Sequence, residues 1–183
     1  QEDGMVEIGK RGSSRRKGDE YQDLTALRLA LETYVHRKPF KMFLDYEKSG
    51  NFDDIVLFEG SDVFAYQVKY AVNPLENYKK DDFLNPDSSV SIKKFATSWQ
   101  RIKNLFPGYR LTVYLYSNKG LDNDVLALIN SEGKFEQGVI EDRRRGNVKK
   151  LRLELAKASG LDTNLFKAFL TDFQFLLRQP DLP

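Results

Sequence analysis

The sequence contains no cysteine and only one histidine among its 183 residues. Without cysteine, the chain can form neither a disulfide framework nor a zinc site built on thiolates. We interpret His36 as a surface residue, which leaves no histidine for a catalytic triad or a zinc site. There is also no apolar run long enough to cross a bilayer and no signal-peptide core. These absences favour an intracellular protein, and we expect a cytoplasmic location.

The composition is that of one soluble globular domain. Hydrophobic residues make up 40% of the chain and aromatic residues 13%, which is enough to bury one sizeable core. Residues 1–17 are rich in Gly, Ser and charge and lack hydrophobic periodicity, so they predict a flexible basic arm. Residues 18–183 then form a single domain, with a core over about 18–117 and a helical extension over about 122–179.

Acidic and basic residues are segregated along the chain. Residues 143–152 hold six basic residues and no acid, and residues 91–110 hold five and no acid. Residues 45–62 hold six acids against one lysine. Two interpretations remain open: the charge runs are solvated faces, or they form a phosphate-binding surface beside an acidic metal site.

Hydrophobic periodicity predicts the order of elements. A first helix carries Leu24, Leu27, Leu31, Tyr34 and Val35 at helical spacing. Three strands follow, then a loop, a helix over 91–106 and a further strand over 110–118. The remainder predicts helices, including 148–160 and 164–179. The predicted fold class is therefore α/β, in the order α-β-β-β-α-β with a C-terminal helical extension.

A hairpin joins "DIVLF" to "VFAYQVKY" through a short connection centred on Gly60-Ser61. In that register Asp54 lies opposite Gln67, and Lys69 shares their face because side chains two apart on a strand point the same way. Asp53 points to the other face. A single β-bulge would exchange the roles of Asp53 and Asp54.

These side chains suit metal-assisted hydrolysis of phosphodiester bonds. The hard oxygens of Asp54 and Gln67 are ligands that Mg²⁺ accepts, and Mg²⁺ needs only one or two protein carboxylates. Lys69 can orient the attacking water or neutralise charge that develops on the phosphate oxygens. The alternative for Lys69 is a strand-end lysine that extends to solvent.

The same residues carry a family resemblance. A carboxylate that starts one strand, followed by Q-x-K late in the next, resembles the PD-(D/E)XK superfamily of restriction-endonuclease-like proteins. Within it, "GDEYQ" (18–22), "DDIVLF" (53–58) and "YQVKY" (66–70) are similar to the N-terminal nuclease domains of bacterial anti-phage effectors, including those associated with cyclic-oligonucleotide signalling and with large NTPase sensors. The resemblance covers about residues 18–117. It implies a restriction-endonuclease-like core, in which helices flank a mixed sheet.

By position, the resemblance implies that Asp54 is a metal ligand and Lys69 the catalytic lysine. Gln67 occupies the place usually held by Asp or Glu, as in the Q-x-K variant of Mrr-like nucleases. Because Gln67 removes a negative charge, the site could prefer Mn²⁺ over Mg²⁺. The main-chain carbonyl of Val68 and the carboxylate of Glu20 complete the expected ligand set.

The first helix supplies further candidates. Glu20 is in register with Leu24, Leu27 and Leu31, so we expect it on the side facing the sheet, where the superfamily often places a third acidic ligand. Gln22 recurs in the defence-effector pattern and could support the site, as could Asp53. The alternative is that these residues only stabilise the helix start.

Seven basic residues are the predicted DNA contacts. Two lie on the helix over 91–106 and five in the basic run near residue 145: Lys93, Lys94, Arg143, Arg144, Arg145, Lys149 and Lys150.

These expectations combine into an endonuclease, dependent on Mg²⁺ or Mn²⁺, that cleaves double-stranded DNA during phage defence. The ending "RQPDLP" resembles a domain boundary, so we expect a C-terminal sensor domain, fused or associated, and homo-oligomers on activation. Two alternatives use the same fold: a catalytically inactive nucleic-acid-binding module and an oligomerisation module. The sequence does not decide between DNA and RNA, because phosphate contacts carry little base information.

Overall fold

The computed structural model of the chain describes residues 10–36 and 39–180. The elements, in chain order, are α1 (Lys10–Val35), β1 (Phe40–Leu44), a 3₁₀ helix (Glu47–Phe52), β2 (Ile55–Glu59), β3 (Asp62–Lys69), β4 (Asn77–Tyr78), α2 (Lys80–Leu84), α3 (Ile92–Leu105), β5 (Arg110–Ser117), β6 (Gly120–Leu121), α4 (Asn123–Leu126), α5 (Gln137–Ile140), α6 (Gly146–Ser159), α7 (Thr163–Asp172) and β7 (Phe173–Leu176). Within the described residues, five strands form a mixed sheet in the order β1-β2-β3-β5-β7. The prediction of an α/β fold with a mixed sheet between helices is confirmed.

The β2–β3 hairpin has the predicted register. The antiparallel ladder pairs Ile55 with Tyr66 and Glu59 with Asp62, leaving Gly60 and Ser61 as the turn. Gly60 has φ +57°, a left-handed conformation that glycine adopts without steric cost.

A crossover through α3 makes β5 parallel to β3, with Lys69 paired to Ser117. The carboxyl ends of both strands therefore lie at one edge of the sheet. Since α3 must run back toward the start of β5, its first turn lies near that edge. The inward face of this helix is buried and consists mainly of Ile92, Phe95, Ala96, Trp99 and Ile102.

Each face of the sheet has its own apolar cluster, because side chains alternate along a strand. On the α3 face, Val56, Ala65 and Val113 join the large cluster that includes Trp99. On the opposite face, Ile55, Leu57, Tyr66, Val68 and Tyr116 pack with Tyr21 and Ala26 of α1.

Helix α1 differs from its prediction in two respects. It begins at Lys10, so residues 10–17 are helical and do not form a flexible arm; the remainder of that predicted arm lies outside the described residues. Among the side chains described on α1, Tyr21, Thr25, Ala26 and Thr33 are buried, whereas the apolar positions expected to face the sheet are exposed. Thr25 and Thr33 direct their hydroxyls back to main-chain carbonyls four residues earlier, so these small polar side chains can lie against the sheet.

The C-terminal extension is not wholly helical. After α7 the chain forms β7, which pairs parallel to β5. Along β7 the buried rings of Phe173 and Phe175 alternate with the half-buried Gln174, and this alternation has the two-residue period of a strand. The loop predicted between the third strand and the helix over 91–106 contains β4 and α2, and β4 pairs with β6.

No helix in the described part of the chain is long and apolar enough to cross a membrane.

Candidate functional site

The candidate site lies where β2 begins and β3 ends. Asp54 directly precedes β2, and its Oδ2 accepts hydrogen bonds from the side-chain amide of Gln67 and from the main-chain N–H of Val68, the latter at 2.6 Å. Gln67 is only 5% exposed, so this pairing satisfies a buried amide. The predicted position of Asp54 opposite Gln67 is confirmed.

Lys69 is the last residue of β3 and half-buried. Strand alternation places its side chain on the same face as that of Gln67. Its positive charge favours the ionised forms of both Asp53 and Asp54. We call Asp54, Gln67, Val68 and Lys69 the Asp54 cluster.

Burial raises the pKa of Asp54 from 3.8 to about 6. The hydrogen bond from Val68 and the charge of Lys69 act in the opposite direction, but burial prevails. Burial also raises the pKa of Asp53, which lies beside it. These two neighbouring carboxyls resist ionisation. A cation bound beside them would compensate their negative charge, so the pair favours cation binding.

Helix α1 reaches this region through Gln22. The Gln22 amide donates to Asp45 Oδ1 at 2.9 Å and to the main-chain oxygen of Asp54 at 3.2 Å. The predicted supporting residue Gln22 therefore contacts the segment that carries Asp54. Asp53 also holds this segment in place, because its main-chain carbonyl accepts a hydrogen bond from the N–H of Tyr46 at 2.8 Å.

Asp45 is a neighbour of the site that was not predicted from the sequence. It has φ +49°, a left-handed conformation that is uncommon outside glycine, and its N–H donates to the Asp54 carbonyl at 3.2 Å. Its position could have been inferred from the order of elements. Asp45 follows β1 directly, and β1 is antiparallel to β2, so the end of β1 and the start of β2 lie together.

Glu20 does not face the sheet, and that prediction is wrong. It is exposed and lies on the same side of α1 as the exposed Leu24, Leu27 and Leu31. The prediction assumed that the face with the leucines is buried, and it placed Glu20 on that face because Glu20 is in register with them. As a result, Glu20 is not one of the groups that surround Asp54 in this structure.

The remaining donors fit a hard cation with few protein ligands. Among residues 10–36 and 39–180, no group of three or more His, Asp or Glu side chains is placed to hold a metal ion. Asp54 offers a carboxylate, and the Val68 carbonyl points to the same side of β3 as the Val68 N–H that contacts Asp54. Gln67 would offer its oxygen after its amide turns over. One carboxylate and two neutral oxygens suit Mg²⁺, which retains several waters.

The predicted DNA-contacting residues are distributed over two helices. Lys93 and Lys94 lie in the first turn of α3, near the edge where β3 ends. Lys93 is exposed, whereas Lys94 Nζ donates to the carbonyls of Asp87 and Ser88 at 3.0 and 2.9 Å. Lys94 is therefore engaged in holding the loop before α3.

The basic run near residue 145 precedes and begins α6. Its five predicted contacts are all exposed, but Arg143 and Arg144 form ion pairs with Glu141 and Glu136. Lys150 shares a groove of ≈ 350 Å³ with Lys80, at the start of α2. Lys80 was not predicted, because no sequence pattern connects it with α6.

Comparison with models of known protein families gives no match, and comparison with curated protein sequences gives no significant match. The functional conclusion therefore depends on the geometry and chemistry of the site.

Proposed function

We propose that the protein is a metal-dependent endonuclease that hydrolyses phosphodiester bonds of double-stranded DNA. The observation that carries the proposal is the Asp54 cluster. At one end of a mostly apolar hairpin, the Asp54 carboxylate accepts hydrogen bonds from the buried Gln67 amide and from the Val68 N–H. The charge of Lys69, on the same face, favours the ionised form of this carboxylate. Buried polar clusters need a compensating role, and this one has the groups that phosphodiester hydrolysis requires.

The order of elements supports a restriction-endonuclease-like core. A helix is followed by a three-stranded antiparallel meander and then by a crossover to a strand parallel to the third. Under this proposal the Asp54 cluster lies where the meander and the crossover strand end together.

Asp54, Gln67 and the Val68 carbonyl would hold Mg²⁺ or Mn²⁺. The bound metal would supply Lewis-acid stabilisation of the phosphate and a water of lowered pKa. Lys69 carries the positive charge that orients the attacking water and offsets negative charge on the phosphate oxygens. Gln22 holds the main chain around Asp54, so its effect would be indirect. The Asp53 carboxyl lies beside Asp54, and its negative charge would favour a bound cation.

The DNA backbone would approach the edge where α3 begins. Lys93 is exposed there. Lys80 and Lys150 line a separate groove at α6 together with Asp124 and Glu154. Arg145, Lys149 and Lys150 would contact phosphates without reading bases.

The test is nicking of supercoiled plasmid with Mg²⁺, with Mn²⁺ and with EDTA. We expect metal-dependent cleavage that Lys69→Ala and Asp54→Ala abolish without a change in far-UV circular dichroism. Lys48→Ala is the matched control, because Lys48 is an exposed lysine in the acidic stretch before β2. Cleavage that survives in both cluster variants would contradict the proposed site.

A catalytically inactive nucleic-acid-binding module is the second candidate, and Gln67 favours it. In the structure the Gln67 amide donates to Asp54, so the two groups satisfy each other without a metal ion. Tight DNA binding without cleavage in any metal would select this alternative. If a Gln67→Glu variant then cleaved DNA, the glutamine would be the reason that the wild-type protein lacks nuclease activity.

The biological setting that we propose is phage defence, with a sensor domain that gathers several copies of this domain on activation. The experiment is phage plating on bacteria that express the domain together with its sensor. Protection that is lost in Lys69→Ala would support the proposal, and protection that persists in this variant would contradict it. Cleavage of RNA instead of DNA by the purified protein would change the substrate class.

A further inference from the structure

Helix α1 has two apolar faces, of which the sheet covers one. Tyr21 and Ala26 pack on the sheet. The opposite face carries what we call the outer stripe, whose members expose between 40% and 74% of their surface: Leu24, Leu27, Leu31, Tyr34 and Val35. A helix on the surface of a monomer normally presents polar groups to solvent, so a stripe of this size indicates a partner.

The spacing of the outer stripe indicates what kind of partner fits it. Leu24, Leu27, Leu31 and Tyr34 recur at intervals of three, four and three residues, which is the a/d pattern of helices that pack side by side. The pattern is symmetric about the midpoint between Leu27 and Leu31. A second copy running antiparallel would therefore place Leu27 opposite Leu31 and Leu24 opposite Tyr34.

Charge selects the antiparallel orientation. Asp19, Glu20 and Asp23 are exposed at the N-terminal end of the stripe. A parallel partner would bring these acids beside their own copies, whereas an antiparallel partner separates them and opposes the two helix dipoles favourably.

The area is sufficient for a modest interface. Pairing of two such surfaces would bury roughly 1,000 Å² in total, which is near the lower limit of specific interfaces.

We infer that two copies of this chain form a symmetric dimer in which the outer stripes of α1 pack antiparallel. The dimer does not depend on the proposed nuclease activity, because the Asp54 cluster and the outer stripe share no residue.

Sedimentation velocity in EDTA tests the inference on this chain. We expect a species of twice the monomer mass that Leu27→Glu with Leu31→Glu converts to monomer. Both leucines are more than half exposed, so unchanged far-UV circular dichroism should accompany the loss of the dimer. Leu153→Glu, at a leucine of α6 that is 49% exposed, should leave the dimer intact.

Cysteine cross-linking tests the orientation, since these 183 residues contain no cysteine. An oxidised mixture of Leu27→Cys and Leu31→Cys chains should give the mixed dimer in excess over either self-linked dimer. Three results would overturn the inference: a wild-type monomer at high concentration, a dimer that resists the double glutamate change, or cross-linking of each cysteine variant mainly with itself.

Discussion

Replacing Asp54 by asparagine is expected to change the pH dependence of stability. In the folded protein, burial holds the pKa of Asp54 at about 6, against 3.8 for an unperturbed carboxyl. Between these values the folded state keeps a proton that the unfolded state has released. Raising the pH through this window therefore destabilises the fold, and below the window both states are protonated and the effect vanishes.

The magnitude follows from the two pKa values. At 1.36 kcal/mol per pKa unit, a rise from 3.8 to about 6 corresponds to at most about 3 kcal/mol of lost stability above pH 6. Asparagine keeps the oxygen that accepts from Val68 and Gln67 but cannot ionise. Relative to the wild type, Asp54→Asn should gain about 3 kcal/mol between about pH 4 and about pH 7.

Urea unfolding in EDTA at several pH values measures this difference directly. Asp87→Asn, a change at an exposed aspartate outside the site, is the control and should follow the wild type. A difference between wild type and Asp54→Asn that is constant with pH would refute the reasoning. Added Mg²⁺ should stabilise the wild type above pH 6 but not Asp54→Asn, because the metal would replace the proton on this carboxylate.

Three further predictions concern the fold around the site. Gly50→Ala should lower the free energy of unfolding by about 2 kcal/mol, because φ is +72° and the new Cβ would lie 2.6 Å from Ser98 Oγ. Gly160→Ala, at φ +74° but in open space, should lower it less. Equal losses in urea unfolding would contradict the steric argument. Asp45→Ala should be about 1 kcal/mol less stable than Asp45→Gly, because φ is +49°; equal midpoints would contradict backbone strain. Phe173→Ala should lower the free energy of unfolding by about 3–5 kcal/mol in thermal or urea unfolding, because the ring is 1% exposed. Gln174→Ala should lower it by less than about 1 kcal/mol. Similar losses would place β7 outside the core.

The hairpin could be predicted from the sequence because its determinants are local. Alternating side chains define which residues share a face, and the two-residue turn at Gly60 and Ser61 defines the register. Once the register is known, the contact between Asp54 and Gln67 follows from geometry.

The edges of the sheet could not be predicted in the same way. β7 pairs in parallel with β5, about 60 residues earlier in the chain. Its four residues follow α7 without a break, so the apolar pattern of "NLFKAFLTDFQFLL" is consistent with one long helix. β4 and β6 have two residues each, too few to show a period.

Helix α1 shows why periodicity alone can select the wrong face. Its strongest apolar stripe contains Leu24, Leu27 and Leu31, and a rule that buries the strongest stripe turns them toward the sheet. The structure instead buries Tyr21 and Ala26, because a small residue permits close approach and an aromatic ring fills the space between strands. A pattern that reports apolar character cannot distinguish a face that packs on the chain's own sheet from one available to a partner.

The error at Glu20 has a consequence for the chemistry of the site. Because Glu20 is on the solvent side, Asp54 is the one carboxylate in the Asp54 cluster. Two further acids, Asp45 and Asp53, lie in the chain segments next to it. Asp53 has a raised pKa and Asp45 receives the amide of Gln22, so either could support a cation that Asp54 holds weakly alone. Glu20→Gln should therefore leave cleavage unchanged, whereas Asp53→Asn should raise the Mg²⁺ concentration needed for half-maximal rate. If Glu20→Gln proved the more damaging change in a metal titration, α1 would have to turn about its axis in the active protein, and the outer stripe would no longer face a partner.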